Sequence, residues 1–373
     1  MEPLQVVLSL RPNSSWPYST KEPPLLSPSA YTALAVLMGL VSAAGILLNL
    51  LVVVVTVKHR QQRQPLSYAL VNLAVCDLGC AAFGGVPTTV ANAMGYFSMG
   101  RLGCVLEGFA VAFFGIASLC TVAVIAVERY MVVCRPMGAV KFQTRHAVGG
   151  VVLSWLWSFL WNTPPLFGWG SFQLEGVKTS CAPDWFSRNL GNMSYIAIYF
   201  LLCFALPFSV ILLSYCQLLR TLRQVSRLQV SMGGSTNRVE LQVARMVALM
   251  VLAFLVAWLP YAALALTVML DPSLYISPQI ATVPVFLAKS STMFNPIIYI
   301  FMNRQFRDCT VLTLLCGWNP WASAQDSIAG DKTVYTQSNT RKHSNQVCAA
   351  GVSERVSETG PPCLHTFTGP LRH

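Results

Sequence analysis

Apolar stretches of about 20 residues recur along the chain and are separated by short polar segments. Because a helix needs about 20 apolar residues to cross the hydrocarbon core of a bilayer, each stretch is a candidate membrane span. There are seven, with approximate limits at residues 30–57, 66–94, 103–133, 146–167, 194–219, 239–270 and 279–302. The pattern predicts an all-α membrane protein, a seven-transmembrane helix bundle that fills residues 30–302.

The two ends of the chain lack this pattern. Residues 1–29 are rich in proline and serine and show no cleaved signal peptide, so we expect an extracellular tail with Asn13 as a glycosylation site. A second sequon, at Asn192, is left open. Residues 303–317 have apolar positions at helical spacing, which predicts a short amphipathic helix 8 with Cys316 as an acylation site. Residues 318–373 are polar, and we expect a disordered cytoplasmic tail.

Composition supports the membrane assignment and charge gives its orientation. The chain is 54% hydrophobic and only 10% charged, against about 25% charged in soluble domains. The net charge of +11 would suit a nucleic-acid-binding protein, but the lysines and arginines cluster in alternate loops. The positive-inside rule places those loops in the cytoplasm. We therefore expect an extracellular N-terminus, a cytoplasmic C-terminus, a lipid bilayer as partner and no nucleic acid.

One cation stands in the middle of the last apolar run. Lys289 lies within residues 282–306, where an ammonium in hydrocarbon costs about 3 kcal/mol or more. Such a residue needs a partner or a chemical use. A salt bridge is one solution. The other is a neutral amine, favoured by burial, that forms a Schiff base with a carbonyl ligand.

The third span carries acids near both ends. Glu107 lies close to the predicted outer end and is a candidate partner for Lys289, although an acid at the interface could also be wetted by solvent. Glu128, Arg129 and Tyr130 lie 21 residues farther on, or about 30 Å along a helix, so they serve a different purpose. Arg129 could be restrained by Glu128 or by a charge on another span, and Glu240 has a matching depth.

The cysteines predict one disulfide. Most of the twelve lie in spans or cytoplasmic segments, whereas Cys104 and Cys181 both fall at the outer face, where a disulfide persists. The segment before Cys181 alternates weakly and predicts a short hairpin, which the bridge would draw across the bundle as a lid. Glu175 would then lie near the central cavity, although a solvated loop carboxylate is an equal reading.

Prolines predict hinges in the last two spans. Trp258 precedes Pro260 in the sixth span, and the seventh contains Asn295, Pro296 and Tyr299. The chain has no phosphate-binding loop, no metal-ligand spacing and no nucleophile triad, so we predict neither an enzyme nor a metal site. It also lacks an internal repeat, which disfavours most transporters.

Together these motifs, in this order, resemble the rhodopsin-like G protein-coupled receptors. The resemblance rests on Asn49, Asp77 within LAVCD, the two outer cysteines, the acid–arginine–tyrosine run, WLP and NPIIY. A lysine six residues before Asn295 narrows it to the opsins. Runs such as LEGVKTSCAPDW and YIFMNRQFRDC are most similar to the parapinopsins, a non-visual pineal subfamily.

The resemblance implies roles residue by residue. Lys289 would carry retinal as a Schiff base, Glu107 would hold the counterion position, and Glu175 would be an alternative counterion. Retinal-pocket positions would be Gly108, Gly115, Trp258 and Tyr261. Positions for activation and G protein coupling would be Glu128, Arg129, Tyr130, Tyr215, Glu240, Asn295, Pro296 and Tyr299.

The implied function is a light-sensing receptor that binds 11-cis-retinal, absorbs at short wavelength or in the ultraviolet, is bistable, and activates a G protein of the inhibitory or transducin class. Arrestin and a receptor kinase would be further partners, and the plasma membrane or a photoreceptor-cell membrane the location. A retinal photoisomerase and a receptor for a diffusible ligand are the alternatives. The sequence does not decide between Glu107 and Glu175 as counterion.

Overall fold

The computed structural model describes residues 24–59, 65–135, 142–228, 236–271 and 273–315. Asn13 and Cys316 therefore lie outside the described residues, as does the predicted tail at 318–373. Glu240 lies in a described helix, but its side chain is outside the described part of the chain. The chain divides at Thr310 into two compact units, and the helical bundle belongs to the first.

Seven long helices form the bundle, in the order and near the limits that the apolar runs predict. They are α1 (Pro28–Lys58), α2 (Pro65–Cys80, a π turn at Ala81–Gly85, then Val86–Met94), α3 (Gly100–Cys134), α4 (Thr144–Asn162), α5 (Leu190–Tyr199, a π turn at Phe200–Ala205, then Leu206–Leu228), α6 (Thr236–Leu270) and α7 (Pro278–Ser290, a 3-10 turn at Ser291–Met293, then Phe294–Met302). A further helix, α8 (Arg304–Leu314), follows α7. That it is an amphipathic helix 8 on a membrane surface stays a prediction.

Six of the described helices are long and apolar enough to cross a membrane, and α4 is not among them. Helix α4 has 19 residues and devotes Ser154, Ser158 and Asn162 to buried polar contacts. It still packs in the bundle, where Trp155 Nε1 donates to Asn72 Oδ1 of α2 at 2.6 Å. Its low hydropathy therefore reflects these inward-facing polar residues together with Arg145 and His146 in its first turn.

Helix α4 ends at Asn162, five residues before the approximate limit of the apolar run at residue 167. Pro164 and Pro165 follow at once and cannot supply the backbone N–H groups that a continuing helix requires. Residues Pro164–Phe167 form a separate 3-10 turn instead.

Three irregular turns coincide with prolines inside the spans. A proline has no N–H to offer the carbonyl four residues earlier. For Pro87, Pro207 and Pro296 that carbonyl belongs to residue 83, 203 or 292, and each lies inside a π or 3-10 turn. The carbonyl of Thr292 is satisfied from another helix, since Asn49 Nδ2 donates to it at 2.7 Å.

A β-hairpin closes one end of the bundle. Strand β1 (Phe172–Glu175) pairs antiparallel with β2 (Ser180–Pro183), with Leu174 opposite Cys181. The predicted disulfide Cys104–Cys181 is formed and fixes β2 to α3. The hairpin tip is also tied to α7, because the Val177 N–H donates to Thr282 Oγ1 at 2.9 Å. We call the end of the bundle that the hairpin covers the disulfide end, and the opposite end of the bundle the Arg129 end.

Candidate functional site

Lys289 lies on α7 one residue before the end of its first helical segment, and only 9% of its surface is exposed. Its Nζ donates to Glu107 Oε1 at 2.8 Å, to Thr88 Oγ1 at 2.5 Å and to Ser180 Oγ at 2.7 Å. A fourth, longer contact of 3.5 Å reaches the Gly84 carbonyl. The ammonium is thus desolvated but paired with a carboxylate and surrounded by oxygen atoms, as a buried charge requires.

The disulfide explains why these groups meet. Cys104 and Glu107 are three residues apart on α3 and therefore share a face. The bridge holds β2 against that face, so the Cys181 N–H donates to Glu107 Oε2 at 3.2 Å and Ser180 reaches both Glu107 and Lys289. Thr88, just beyond the π turn of α2, donates to Glu107 Oε1 at 2.9 Å. Groups of α2, β2 and α7 therefore hold the carboxylate of Glu107 in place.

Glu175 faces the same site from β1 but contacts different groups. Its Oε2 accepts from the Tyr261 hydroxyl at 2.8 Å and its Oε1 from Ser180 Oγ at 3.2 Å. Desolvation in the cavity wall raises the pKa of Glu175 above its ordinary value, and the charge of Lys289 opposes this effect. Among the described residues, the ion pair of Lys289 is with Glu107 and none joins it to Glu175.

Ser180 lies between the two carboxyl groups. Its Oγ is 3.3 Å from Glu107 Oε1 and 3.2 Å from Glu175 Oε1, while it accepts from Lys289. A hydroxyl has one proton, so Ser180 donates to one acid at a time. The two acids that the sequence offers as alternatives therefore belong to one hydrogen-bonded cluster.

A cavity lined by Lys289 extends between α3, α5, α6 and α7. Its lining is predominantly apolar and includes all four predicted pocket residues: Gly108, Gly115, Trp258 and Tyr261. A Cβ atom at Gly108 would lie 2.8 Å from Phe172, and one at Gly115 would lie 3.0 Å from the Trp258 ring. These glycines let two aromatic rings approach α3.

This arrangement suits an apolar ligand that carries one reactive carbonyl group. The walls offer aromatic and aliphatic contacts, and the lysine amine lines the cavity beside a carboxylate. A primary amine in such a place can condense with an aldehyde. The residues present therefore fit a polyene aldehyde such as retinal.

Buried polar contacts continue from the cavity towards the Arg129 end. Trp258 Nε1 donates to Ser291 Oγ at 3.0 Å, next to the 3-10 turn of α7. One turn farther, Asn295 Nδ2 donates to Asp77 Oδ2 at 2.9 Å. The carboxyl group of Asp77 is thus hydrogen-bonded inside the bundle, beside the turn that Pro296 induces.

At the Arg129 end, Arg129 forms a buried ion pair with Glu128. Its Nε donates to Glu128 Oε2 and its Nη2 donates to Glu128 Oε1. The Tyr215 hydroxyl is buried and has no hydrogen-bond partner within the described part of the chain. Tyr299 is also buried, and its ring centre lies 4.3 Å from that of Phe306. Tyr130 is partly exposed, and its hydroxyl accepts from Arg135 at 3.1 Å.

Sequence reasoning missed two residues of the site, Thr88 and Ser180. Hydroxyl residues are common in membrane helices and strands, so their identity gives no signal. Ser180 could have been suspected because it precedes Cys181, whose bridge was predicted. Thr88 contacts Lys289 from another helix, just beyond the π turn of α2, and no spacing rule anticipates that contact.

The structure also bears on the second sequon. Asn192 is only 4% exposed, and its Nδ2 donates to the carbonyls of Asp184 and Ser187 at 2.7 and 3.1 Å. Since the nitrogen that would be glycosylated is engaged inside the fold, Asn192 is not available in the folded protein.

Comparison with known proteins agrees with this geometry. Residues 48–299 match the family model of the 7 transmembrane receptor (rhodopsin family). The chain is 67% identical over 306 residues to parapinopsin of Ictalurus punctatus, covering 82% of this chain and 88% of that protein. It is 45% identical to pinopsin of Columba livia over 299 residues, covering 80% and 85%.

Among solved structures, the crystal structure of squid rhodopsin matches with a TM-score of 0.72 and 27% identity, covering 83% of this chain and 94% of that one. The sequence matches, the shared fold and the buried lysine all indicate the same family. The chain belongs to the opsins of the rhodopsin family: it is a multi-pass membrane protein and a light-sensing, retinal-binding G protein-coupled receptor, and not an enzyme.

Proposed function

We propose that Lys289 binds 11-cis-retinal covalently as a Schiff base and that Glu107 is its counterion in the dark. One observation carries this proposal: Lys289 Nζ lies 2.8 Å from Glu107 Oε1 in the wall of an apolar cavity. When bound, retinal supplies the light absorption and the change of shape. The protein supplies the attachment, the charge balance and the surrounding walls.

Attachment requires a neutral amine. If the Lys289 proton passes to Glu107 Oε1, the lone pair of Nζ would be free to attack an aldehyde. Condensation would exchange the C=O bond for a C=N bond with loss of water, and Glu107 would return its proton to the nitrogen and remain as the charged counterion. Thr88 and Ser180 hold Nζ and Glu107 in register during this exchange, since each contacts both groups.

We further propose that Glu175 becomes the counterion after illumination. In the dark, Glu107 is the acid paired with Lys289, whereas Glu175 contacts Tyr261 and Ser180 instead. Ser180 contacts both acids and can pass a proton between them. A second acid that can stabilise the linkage after isomerisation supports a bistable pigment. A carboxylate held close to the nitrogen keeps positive charge there, which supports short-wavelength absorption.

Activation would run from the cavity to the Arg129 end. Trp258 lies against Gly115 across the cavity and donates to Ser291 on α7, so it would be the wall residue through which a change in ligand shape reaches α6 and α7. Pro260 in α6, with Asn295, Pro296 and Tyr299 in α7, then allows the Arg129 halves of these helices to move. Arg129 leaves Glu128, and Tyr130, Tyr215 and Glu240 reorganise around the groove that opens.

Basic residues at the Arg129 end support a cytoplasmic location for it and an extracellular N-terminus. We propose an inhibitory or transducin-class G protein as the partner, with arrestin and a receptor kinase acting at the same end. The protein would reside in the plasma membrane or a photoreceptor-cell membrane.

Borohydride reduction tests the attachment. The purified protein is incubated with 11-cis-retinal in the dark, acidified and reduced, and its peptides are analysed by mass spectrometry. We expect a retinyl adduct on Lys289. Recovery of unmodified Lys289 would contradict the proposal and favour a receptor for a diffusible ligand in which Lys289 and Glu107 form a permanent salt bridge.

A further inference from the structure

Two tyrosines of α5, one helical turn apart, are hydrogen-bonded to α4. The Tyr195 hydroxyl donates to the backbone carbonyl of Trp161 at 3.0 Å. The Tyr199 hydroxyl donates instead to a side chain, Asn162 Oδ1, at 3.0 Å. Of the two tyrosines, Tyr199 lines the cavity that contains Lys289, and Tyr195 does not. The bond between Asn162 and Tyr199 therefore acts on a residue of the cavity wall.

The amide group of Asn162 can face Tyr199 in one orientation only. Its Nδ2 donates to the Ser158 carbonyl at 2.7 Å and lies 3.2 Å from Ser158 Oγ. The proton of the Ser158 hydroxyl is used elsewhere, because Ser158 donates to the Phe113 carbonyl of α3 at 2.5 Å. Both neighbours of Nδ2 are therefore acceptors, and Oδ1 is left to accept from Tyr199.

This chain of hydrogen bonds is closed off from solvent and lies behind the cavity wall. Asn162 and Ser158 are fully buried, and Tyr199 is nearly so. Among the described residues that line the cavity, Tyr199 is present whereas Asn162 and Ser158 are not. The hydroxyl of Tyr199 is thus turned towards α4, and its ring forms part of the wall.

The neighbouring parts of the wall are apolar. Helix α5 also contributes Phe200 and Phe204, and α3 contributes Ile116. A buried hydroxyl without a partner is unfavourable, so Tyr199 deprived of Asn162 would turn its hydroxyl towards another acceptor. In surroundings of low dielectric constant, a dipole turned into the cavity would act strongly on a conjugated ligand, because light absorption redistributes charge along such a ligand.

We propose that Asn162 is a positioning residue of the retinal cavity: it holds the Tyr199 hydroxyl outside the cavity and keeps this dipole away from the chromophore. The inference rests on the proposed attachment of retinal to Lys289. The hydrogen bonds of the Asn162 side chain in the described structure are with Ser158 and Tyr199, so Asn162 acts on the chromophore through Tyr199.

The position of the absorption band after reconstitution with 11-cis-retinal in the dark tests this role. Asn162→Leu removes the acceptor and leaves the Tyr199 hydroxyl in place. Asn162→Leu combined with Tyr199→Phe removes both partners of the hydrogen bond. Asn162→Leu combined with Tyr195→Phe is the matched control, because it removes the other tyrosine hydroxyl that α5 directs to α4.

We expect Asn162→Leu to shift the band by several nanometres and the control with Tyr195→Phe to keep that shift. Asn162→Leu combined with Tyr199→Phe should have the band of Tyr199→Phe alone. An unshifted band in Asn162→Leu would overturn the role of Asn162, and so would a shift that persists without the Tyr199 hydroxyl. If Asn162→Leu fails to fold, Asn162→Ala replaces it in all three variants. Absence of any band in the unmodified protein would instead contradict the proposed attachment to Lys289.

Discussion

The ammonium of Lys289 is stabilised by groups from three separate elements: Thr88 of α2, Glu107 of α3 and Ser180 of β2. Thr88 and Ser180 also donate to Glu107. Each hydroxyl therefore acts on both members of the ion pair, and loss of one leaves both charges less well solvated. Hydrogen bonds to charged groups contribute about 1.5–3 kcal/mol each.

Replacing Thr88 by valine should accordingly lower the stability of the retinal-free protein by about 2 kcal/mol. The natural control is Thr89→Val, because the Thr89 hydroxyl donates to the Gly85 carbonyl at 2.8 Å within its own helix. Thermal unfolding in detergent measures both. We expect a fall in Tm of several degrees for Thr88→Val and a smaller one for Thr89→Val. Equal losses would show that Thr88 does not support the ion pair.

Glu175 should make stability depend on pH. Because desolvation raises the pKa of its carboxyl group, the folded protein keeps this proton at pH values where the unfolded chain has lost it. Its contribution to stability therefore falls as pH rises above the ordinary carboxyl value of about 4.3. Glutamine cannot ionise, so the Tm of Glu175→Gln relative to the unmodified protein should increase from pH 4 to pH 8. A difference that stays constant or shrinks would contradict this environment for Glu175.

At the scale of elements, the hairpin is placed by a disulfide and by close backbone approaches. Gly176 has φ of 57°, and a Cβ atom there would lie 2.5 Å from Thr282 Oγ1 of α7. Thr282 in turn accepts from the Val177 N–H. The hairpin tip can touch α7 only because residue 176 has no side chain.

Gly176→Ala should therefore push the hairpin away from α7 and destabilise the protein by more than the cost of a left-handed alanine, which is about 1–2 kcal/mol. Gly100→Ala provides the comparison, since Gly100 has φ of 65° and open space around its missing Cβ. Thermal unfolding should show the larger loss for Gly176→Ala. An equal loss in both would mean that the contact with Thr282 does not constrain the hairpin.

The elements were largely predictable because apolar runs and prolines are local signals. The seven helices, the hairpin and the Cys104–Cys181 bridge all follow from residue types and their order. The apolar run of the fourth span continues through Leu166 and Phe167, but α4 ends at Asn162, just before two prolines. Apolar character alone does not show where a helix loses its hydrogen bonds.

The site was predictable only where charge or family resemblance singled a residue out. Lys289 and Glu107 are conspicuous because ions are rare inside spans, whereas Thr88 and Ser180 are ordinary residues that become important through tertiary contact. The sharing of Ser180 by Glu107 and Glu175 depends on the register of β1 against β2, with residue 175 opposite residue 180. Such a register cannot be read from a single chain.

At the scale of the whole molecule, two buried ion pairs stand at opposite ends of α3. Lys289 with Glu107 lies at the disulfide end, and Arg129 with Glu128 at the other. The polar contacts of Trp258, Asn295 and Asp77 occupy the space between them. A change at the first pair can therefore bias the packing that holds the second.

Glu128→Gln should weaken the inactive packing, because Arg129 loses a charged partner within the buried Arg129 end. A loss of about 1.4 kcal/mol would raise the active fraction about tenfold. Nucleotide exchange on an added G protein, measured in the dark, should increase accordingly. Glu128→Asp keeps the charge and should remain nearer the unmodified protein. Equal basal rates of nucleotide exchange in the two variants would show that the Arg129–Glu128 ion pair does not stabilise the inactive packing.

A light-minus-dark absorption spectrum shows whether Lys289 holds the chromophore. The unmodified protein and Lys289→Ala are each incubated with 11-cis-retinal, purified from free retinal and illuminated. We expect a photoconvertible band in the unmodified protein and none in Lys289→Ala. A light-dependent band of equal size in Lys289→Ala would show that the chromophore is held elsewhere.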